Sequence, residues 1–396
     1  MGLCNVKKII ISITIILATL LSPVMGYCAE TDKTGVNQEI LEEKLKGNEI
    51  KSIKEAVDKE LTKTPLSGTY DFNSQDILKG ALNGKPMESL KGLPKILISV
   101  LGKEIKVNLV LILQLFAVML LGAVIRSLQP LENGISNEVA KLGVNGVLIV
   151  ISAVSFGNIV EVARTTIDSM QSVASLAMPA LFALMAASGR IVTVTALQPL
   201  MLFGVNAACQ LFKTVLLPIA VMAGLLFLVD CVSERFKVKT LAKLLKSCAV
   251  WLTGVVTLAF SLFMSIQRIA STSVDAVTLK TTKFAIGTFV PVAGKYMTDA
   301  VETILLCTSA ASNIAGVLTV IGLVLISVIP FIKIFIVMIS FRLAASFGSP
   351  ICDENVCDAL EDAAKCLSVI LGIMGASLFV IILLAGTLMN ASGVMK

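Results

Sequence analysis

The stretch AGVLTVIGLVLISVIPFIKIFIVMISF, residues 315–341, contains a single charged side chain, Lys333. An α-helix needs about 20 apolar residues to cross a hydrocarbon core about 30 Å thick, so this stretch has the length and composition of a membrane helix. Similar apolar runs recur from residue 107 to the C-terminus. The chain is 56% hydrophobic and only 15% charged, with a mean hydropathy of +0.90. These features predict an all-α, polytopic membrane protein with about nine or ten hydrophobic segments.

Nine stretches have the composition of membrane spans: 107–125, 142–162, 171–188, 191–212, 214–229, 248–267, 303–328, 331–347 and 366–389. The stretch 282–298 is either a tenth span or a re-entrant segment, and this choice decides on which side the C-terminus lies. The loop 230–247 is rich in lysine, which predicts that it is cytoplasmic.

The N-terminus has the pattern of a secretory signal. Lys7 and Lys8 precede an apolar core at residues 9–21, which is followed by a proline and small residues. We therefore predict a signal peptide at 1–28, an exported amphipathic helical region at 29–106 and a multi-spanning membrane domain at 107–396. The alternative is an uncleaved first membrane helix, which also places the region after it outside the cytoplasm.

The exported region is charged and helical in its periodicity. Within residues 37–63, the side chains of Ile50, Ile53, Val57 and Leu61 fall on one helical face, with lysines and glutamates around them. The region is too small and too charged to hold a large core by itself, so we interpret it as either a small helical cap or a docking segment.

Two proline pairs suggest an internal repeat. Pro179 and Pro218 have the same spacing as Pro291 and Pro330, with a shift of 112 residues between the pairs. Short glycine–valine and acidic motifs extend the match, so residues 142–230 and 250–342 are two candidate copies of one unit. The alternative is chance similarity among apolar segments.

The segment after Pro291 combines a helix-breaking sequence with charge. FVPVAG, residues 289–294, ends at Gly294 and is followed by Lys295, Asp299 and Glu302 at helical spacing. Proline in a membrane helix frees a backbone carbonyl, and charges at membrane depth often mark a pathway. These residues, together with the four repeat prolines, are candidate hinge or pathway residues. The alternative is that the charges are solvated at the membrane interface.

Two more charges lie close to a repeat proline. Lys333 follows Pro330 by three residues, and Arg342 lies further along the same apolar run. Both are candidate pathway residues, although a long basic side chain can also reach the interface. Glu161, Arg164 and Asp168 lie between two expected spans, so we interpret them as a solvated loop.

The composition excludes several classes of function. The chain contains no histidine, which removes histidine-based catalytic triads and the HExxH zinc site. It has no GxxxxGK[ST] phosphate-binding loop, and its lysines lie at membrane edges without interleaved aromatic residues. We therefore expect no enzymatic activity, no cofactor, no metal site and no nucleic-acid partner.

The C-terminal half resembles a known family. KFAIGTFVPVAGKYMTDAVETIL (283–305) and FRLAASFGSPICDE (341–354) are similar to sequences of the stage III sporulation protein AE family. The resemblance implies a membrane subunit of a channel complex that links the mother cell to the forespore in endospore-forming bacteria. It also implies a mother-cell membrane location, partners among the membrane proteins of that complex and a forespore-side partner. No catalytic residues follow from it.

The leading hypothesis is thus a non-enzymatic subunit of a sporulation transport complex embedded in the lipid bilayer. One alternative is a stand-alone secondary carrier, in which proline-broken helices bind a solute near the membrane midplane. A purely structural scaffold is the second alternative.

Overall fold

The computed structural model describes residues 38–63, 77–78, 80, 93–128, 134–230, 238–289, 294–351 and 354–391 of the chain. Within these ranges the regular structure is entirely helical, which confirms the expected all-α class. The elements in chain order are α1 (Gln38–Leu45), α2 (Asn48–Thr62), α3 (Leu93–Leu128), α4 (Gly134–Ala187), α5 (Ile191–Leu211), a π-helical segment (Phe212–Leu216), α6 (Leu217–Asp230), α7 (Lys239–Phe289), α8 (Gly294–Gly348) and α9 (Glu354–Ala391).

The described helices include six stretches that are long and apolar enough to cross a membrane. They are Ser99–Ile125, Leu142–Ala187, Thr193–Asp230, Lys239–Ile266, Thr303–Gly348 and Asn355–Met389. The chain is therefore a multi-pass membrane protein. The nine segments expected from hydropathy match these six stretches to within two residues at their ends, because three pairs of neighbouring segments are joined in continuous helical structure.

Helix α4 shows why neighbouring segments merge. The expected spans 142–162 and 171–188 belong to one helix of 54 residues, which is about 80 Å long at 1.5 Å per residue. The residues between them, 163–170, contain neither glycine nor proline, so nothing interrupts the backbone hydrogen bonds. Charge alone does not end a helix. The prediction of a solvated loop at Glu161, Arg164 and Asp168 was therefore wrong.

Two further connections that were expected to be loops are also helical. Helix α8 continues through Pro330 and joins the spans 303–328 and 331–347. The spans 191–212 and 214–229 are joined through the π-helical segment. In the stretch 282–298, residues 282–289 end α7 and residues 294–298 begin α8. The choice between a tenth span and a re-entrant segment stays a prediction.

The turn between α4 and α5 depends on one glycine. Gly189 has φ of 89°, a left-handed conformation that is strained for residues with a Cβ atom. The Gly189 N–H donates to the Ala186 carbonyl at 3.0 Å, and the Arg190 N–H donates to the Met185 carbonyl at 3.3 Å. These bonds satisfy carbonyls at the end of α4 and let the chain reverse into α5.

Helices α8 and α9 form the centre of the bundle. The most apolar window of α8 is 67% buried and that of α9 is 61% buried, against 17% for α7. Helix α8 packs against α9, α4 and α3. One core contact is edge-to-face, between Phe156 of α4 and Phe341 of α8, whose ring centroids are 5.7 Å apart. Helix α7 instead exposes a largely apolar surface, as a peripheral membrane helix does.

The amphipathic helix expected in the exported region is present, and its apolar face is used. Ile50, Ile53 and Val57 of α2 are at most 1% exposed. Helix α2 packs against α4 and α8. The apolar side chains of α2 are thus buried against the membrane helices α4 and α8.

The internal repeat stays a prediction. Each candidate copy contains a long helix, an interruption and a second long helical stretch, α4 followed by α5–α6 and α7 followed by α8. Pro179 and Pro330 are inside helices, and Pro218 is the second residue of α6. Pro291, the counterpart of Pro179, lies outside the described residues.

Candidate functional site

A groove of about 620 Å³ lies between α3, α4 and α8. Among the described residues, three charged side chains line it, one from each helix: Glu104, Glu161 and Lys333. The groove wall also carries the side chains of Asn108 and Asn158. Opposite charges therefore share one cavity between three largely apolar helices.

Lys333 reaches this groove because α8 does not end at Pro330. The helix continues for 18 residues beyond the proline, which places Lys333 one turn after it. Its side chain is partly buried, and Val337, one turn further, lines the same groove. Among the described residues, Lys333 takes part in none of the ion pairs within 4.0 Å. Its ammonium group is therefore available to solvent or to a ligand in the groove.

A second polar contact joins α4 to the π-helical segment. Lys213 Nζ lies 2.6 Å from Asp168 Oδ1, and the Lys213 side chain is only 23% exposed. One turn along α4, Gln171 Nε2 donates to Asn206 Oδ1 at 2.6 Å. Charged and amide groups thus connect α4 to the helical stretch that contains Asn206 and Lys213.

The π-helical segment is explained by Pro218. A proline in a regular helix has no N–H, and its ring clashes with the carbonyl four residues earlier. The Leu217 N–H instead donates to the Phe212 carbonyl five residues back, the wider spacing of a π-helix. The wider turn lets the helix continue into Pro218 and contains Lys213. Pro218, one of the candidate hinge residues, therefore lies directly after an irregularity in the helix.

One face of α4 connects the two polar features. Asn158, Glu161, Thr165, Asp168 and Ser172 follow one another at steps of three and four residues, which places them on a single face. Their side chains are exposed, or half-exposed at Asp168. We call this set the polar stripe of α4.

The polar stripe interrupts an apolar surface. On the same face of α4, Val150 and Val154 before it are 62% and 61% exposed, and Leu176 after it is 50% exposed. The stripe therefore separates two apolar halves of the helix. Together with residues from α3, the π-helical segment and α8, it forms a cluster that we call the charged belt: Glu104, Glu161, Asp168, Lys213 and Lys333.

Comparison with known proteins identifies the family. The family model described as Stage III sporulation protein AE matches residues 72–392 of this chain. The chain belongs to the stage III sporulation protein AE family. The Stage III sporulation protein AE of Bacillus subtilis (strain 168) is 29% identical over 303 residues, covering 76% of each chain. No solved structure matches. The resemblance seen in the sequence is thus confirmed, and the chain is a sporulation protein.

The match places the charged belt within the sporulation family domain, since all five belt residues fall between 72 and 392. Helices α1 and α2 precede the matched region.

Of the predicted site residues whose side chains are described, the structure brings Lys333 into the groove. Pro179 is exposed on α4 and Pro330 is partly buried in α8, but neither lines the groove. Pro218 adjoins the π-helical segment. Arg342 is partly buried in α8 and joins none of the ion pairs of the described residues.

The candidate residues after the α7–α8 junction are less completely described. Gly294 is the first residue of α8, and Lys295, Asp299 and Glu302 lie in its first three turns. The side chains of these three charged residues are outside the described set, as is Pro291 entirely. Their role stays a prediction.

Sequence reasoning missed most of the belt. Asp168 and Lys213 are 45 residues apart, so no local pattern links them. Glu161 and Asp168 were assigned to a loop, although their helical spacing without an intervening glycine or proline was a usable signal. Glu104 was taken as part of the exported region.

Proposed function

We propose that this chain is an integral membrane subunit of a transport or channel complex that links the mother cell and the forespore during sporulation. The family supports the sporulation role, and the charged belt is the observation that supports a conduit. A charged side chain inside a membrane bundle is costly unless it faces water, a counter-charge or a protein partner. Three belt residues, Glu104, Glu161 and Lys333, provide such groups along a groove, as the wall of a hydrated path requires.

The location and partners belong to the same proposal. The chain lies in the mother-cell membrane, with its N-terminal region outside the cytoplasm and facing the forespore. The partners are other membrane proteins of the complex and a forespore-side protein. Its work is to form or scaffold the conduit without enzymatic chemistry, which is consistent with a family described by a sporulation stage.

The test uses neutral substitutions of the groove charges. Glu161→Gln and Lys333→Gln each remove one charge and keep most of the side-chain volume. In cells that lack the chromosomal copy, we expect both to lower the yield of heat-resistant spores at least tenfold while the protein still accumulates in the membrane. The matched control is Glu361→Gln, an exposed glutamate of α9 that pairs with Lys365 at 3.3 Å, away from the groove. If the groove variants sporulate as well as the control, the conduit role of the belt is wrong.

The stand-alone carrier is favoured by one observation, the presence of both charge signs in the groove of a single chain. A carrier would catalyse solute counterflow in liposomes that contain this chain alone, and Lys333→Gln would reduce the flux. Absence of flux from the pure chain, together with co-purification of other membrane proteins, would exclude the carrier and support the complex.

A further inference from the structure

The seam between α4 and α8 is covered by different helices at its two ends. At one end α3 covers the seam, where Met119 lies against Gly348 of α8. A Cβ atom added at Gly348 would lie only 2.6 Å from Met119 Sδ. Towards the other end α2 covers the seam: a Cβ atom on Gly322 would lie 2.7 Å from Val57 Cγ1. The charged groove opens between these two covers, since Lys333 lies between Gly322 and Gly348 on α8.

Helix α2 is close to the groove. Gly322 precedes Lys333 by eleven residues, which is about 16 Å along the helix axis. Helix α2 contains 15 residues, so it covers about 22 Å of whatever surface it lies along. Removal of α2 would therefore uncover Gly322 and the part of the seam around it.

Helix α2 packs on the bundle as a bound amphipathic peptide does, with one buried face and one exposed face. One face, with Ile50, Ile53 and Val57, is fully buried. The opposite face is solvated, with Lys51 and Glu55 paired at 3.9 Å and about 70% exposed. This is the pattern of an amphipathic helix laid in a groove, a mode in which apolar anchors at helical spacing supply the affinity. Release would change the surroundings of the apolar face alone, because the outer face is already exposed.

We infer that α2 is a releasable cover of the α4–α8 seam, seated on Gly322, and that its release extends the charged groove along the seam. Gly322 allows the close contact between α2 and α8. The Val57 side chain contacts α8 at Gly322, which has no side chain, so a side chain added at position 322 would push α2 outward. Release would also expose the apolar face of α2.

The first experiment measures release directly. Val57→Cys is introduced into the full-length chain after its native cysteines are replaced by serine, and a water-soluble maleimide is added to the purified protein in detergent. We expect the introduced thiol to label slowly, and at least tenfold faster when Gly322→Leu fills the seat, whereas Glu55→Cys labels rapidly in both backgrounds. Ile53→Asp, which leaves α8 unchanged, should give the same acceleration. If neither Gly322→Leu nor Ile53→Asp accelerates labelling, the seat at Gly322 does not hold α2 and the inference fails.

The second experiment asks whether release is needed. Cysteines at positions 57 and 322 would have Cβ atoms 3.3 Å apart, close to the usual 3.5–4.5 Å of a disulfide. The oxidised pair locks α2 in its seat, and Val57→Ser with Gly322→Ser is the isosteric pair that cannot lock. We expect the locked chain to lose at least nine tenths of the spore yield of the serine pair and to regain it with a reductant. Spores formed at the serine-pair yield by a fully disulfide-bonded chain would overturn the inference. The labelling result does not depend on sporulation, so failure of the cover and failure of the conduit proposal can be told apart.

Discussion

Lys213 and Asp168 form an interhelical ion pair, with 2.6 Å between Nζ and Oδ1, in the middle of two long helical stretches. Lys213 belongs to the π-helical segment that precedes Pro218. A backbone irregularity and a charge pair therefore occur at the same point of the bundle. This coincidence is typical of functional positions in helical proteins.

The ion pair should couple α4 to the π-helical segment by about 1 kcal/mol, a modest value because the Asp168 side chain is 47% exposed and water screens the pair. We expect Asp168→Asn and Lys213→Met each to lower the melting temperature in detergent, with less than additive loss in the double variant. Glu55→Gln, in the exposed pair with Lys51, is the control and should have no measurable effect. Strict additivity would show that the two charges act independently.

Gly224 and Gly254 should differ in how strongly an added methyl group changes the stability of the bundle. A Cβ atom on Gly224 of α6 would lie 2.5 Å from a ring carbon of Phe156, whereas Gly254 of α7 has nothing within 4 Å. Gly224→Ala should therefore destabilise the bundle by about 1–3 kcal/mol through overpacking. Gly254→Ala should leave its stability unchanged or slightly raised, since alanine is the better helix former. Thermal unfolding of the two variants in the same detergent checks both. Equal melting temperatures would contradict the packing of α6 against α4.

Contacts between the start of α7 and the start of α9 predict which residues share one side of the membrane. Lys239 Nζ lies 3.2 Å from Asp358 Oδ2, and the Lys239 N–H donates to Asp230 Oδ1 at 2.9 Å. The start of α9 therefore lies beside the end of α6 and the start of α7. Single cysteines at Thr240 and Asn355 should therefore label from the same side of the membrane. Ala187, at the far end of α4, should label from the opposite side. We expect the first side to be the cytoplasm, because the loop 230–247 is rich in lysine. Labelling of Thr240→Cys and Asn355→Cys from different sides would contradict the arrangement of α7 and α9.

The start of α8 carries a prediction from the sequence alone. If Asp299 and Glu302 belong to the pathway, Asp299→Asn and Glu302→Gln should lower the spore yield as strongly as substitutions in the charged belt. Asp58→Asn on α2 is a control of the same chemical change outside the membrane helices. Normal sporulation of both α8 variants would assign these charges to the solvated interface.

Hydropathy was sufficient to predict the fold class, because an apolar run such as 315–341 has few stable alternatives to a membrane helix. The division into spans was harder to predict. Charges at 161–168 suggested a loop, yet a helix ends through backbone geometry, and this stretch has no residue that opposes helical dihedrals. Pro330 likewise failed to end α8. Lys333 could be singled out because it is alone in an apolar run, whereas Asp168 and Lys213 are joined only by tertiary packing.

The unbroken course of α4 determines how the bundle can move. From Asn158 to Met178 this helix contains neither glycine nor proline, so the segment that carries the polar stripe is a stiff rod that ends at Pro179. The stripe cannot leave the groove by bending within that segment. It can turn away only if the segment rotates about its own axis, and such a rotation would move the groove wall and the Lys213–Asp168 contact together. A partner that turns the helix at one of these two places would therefore change the other.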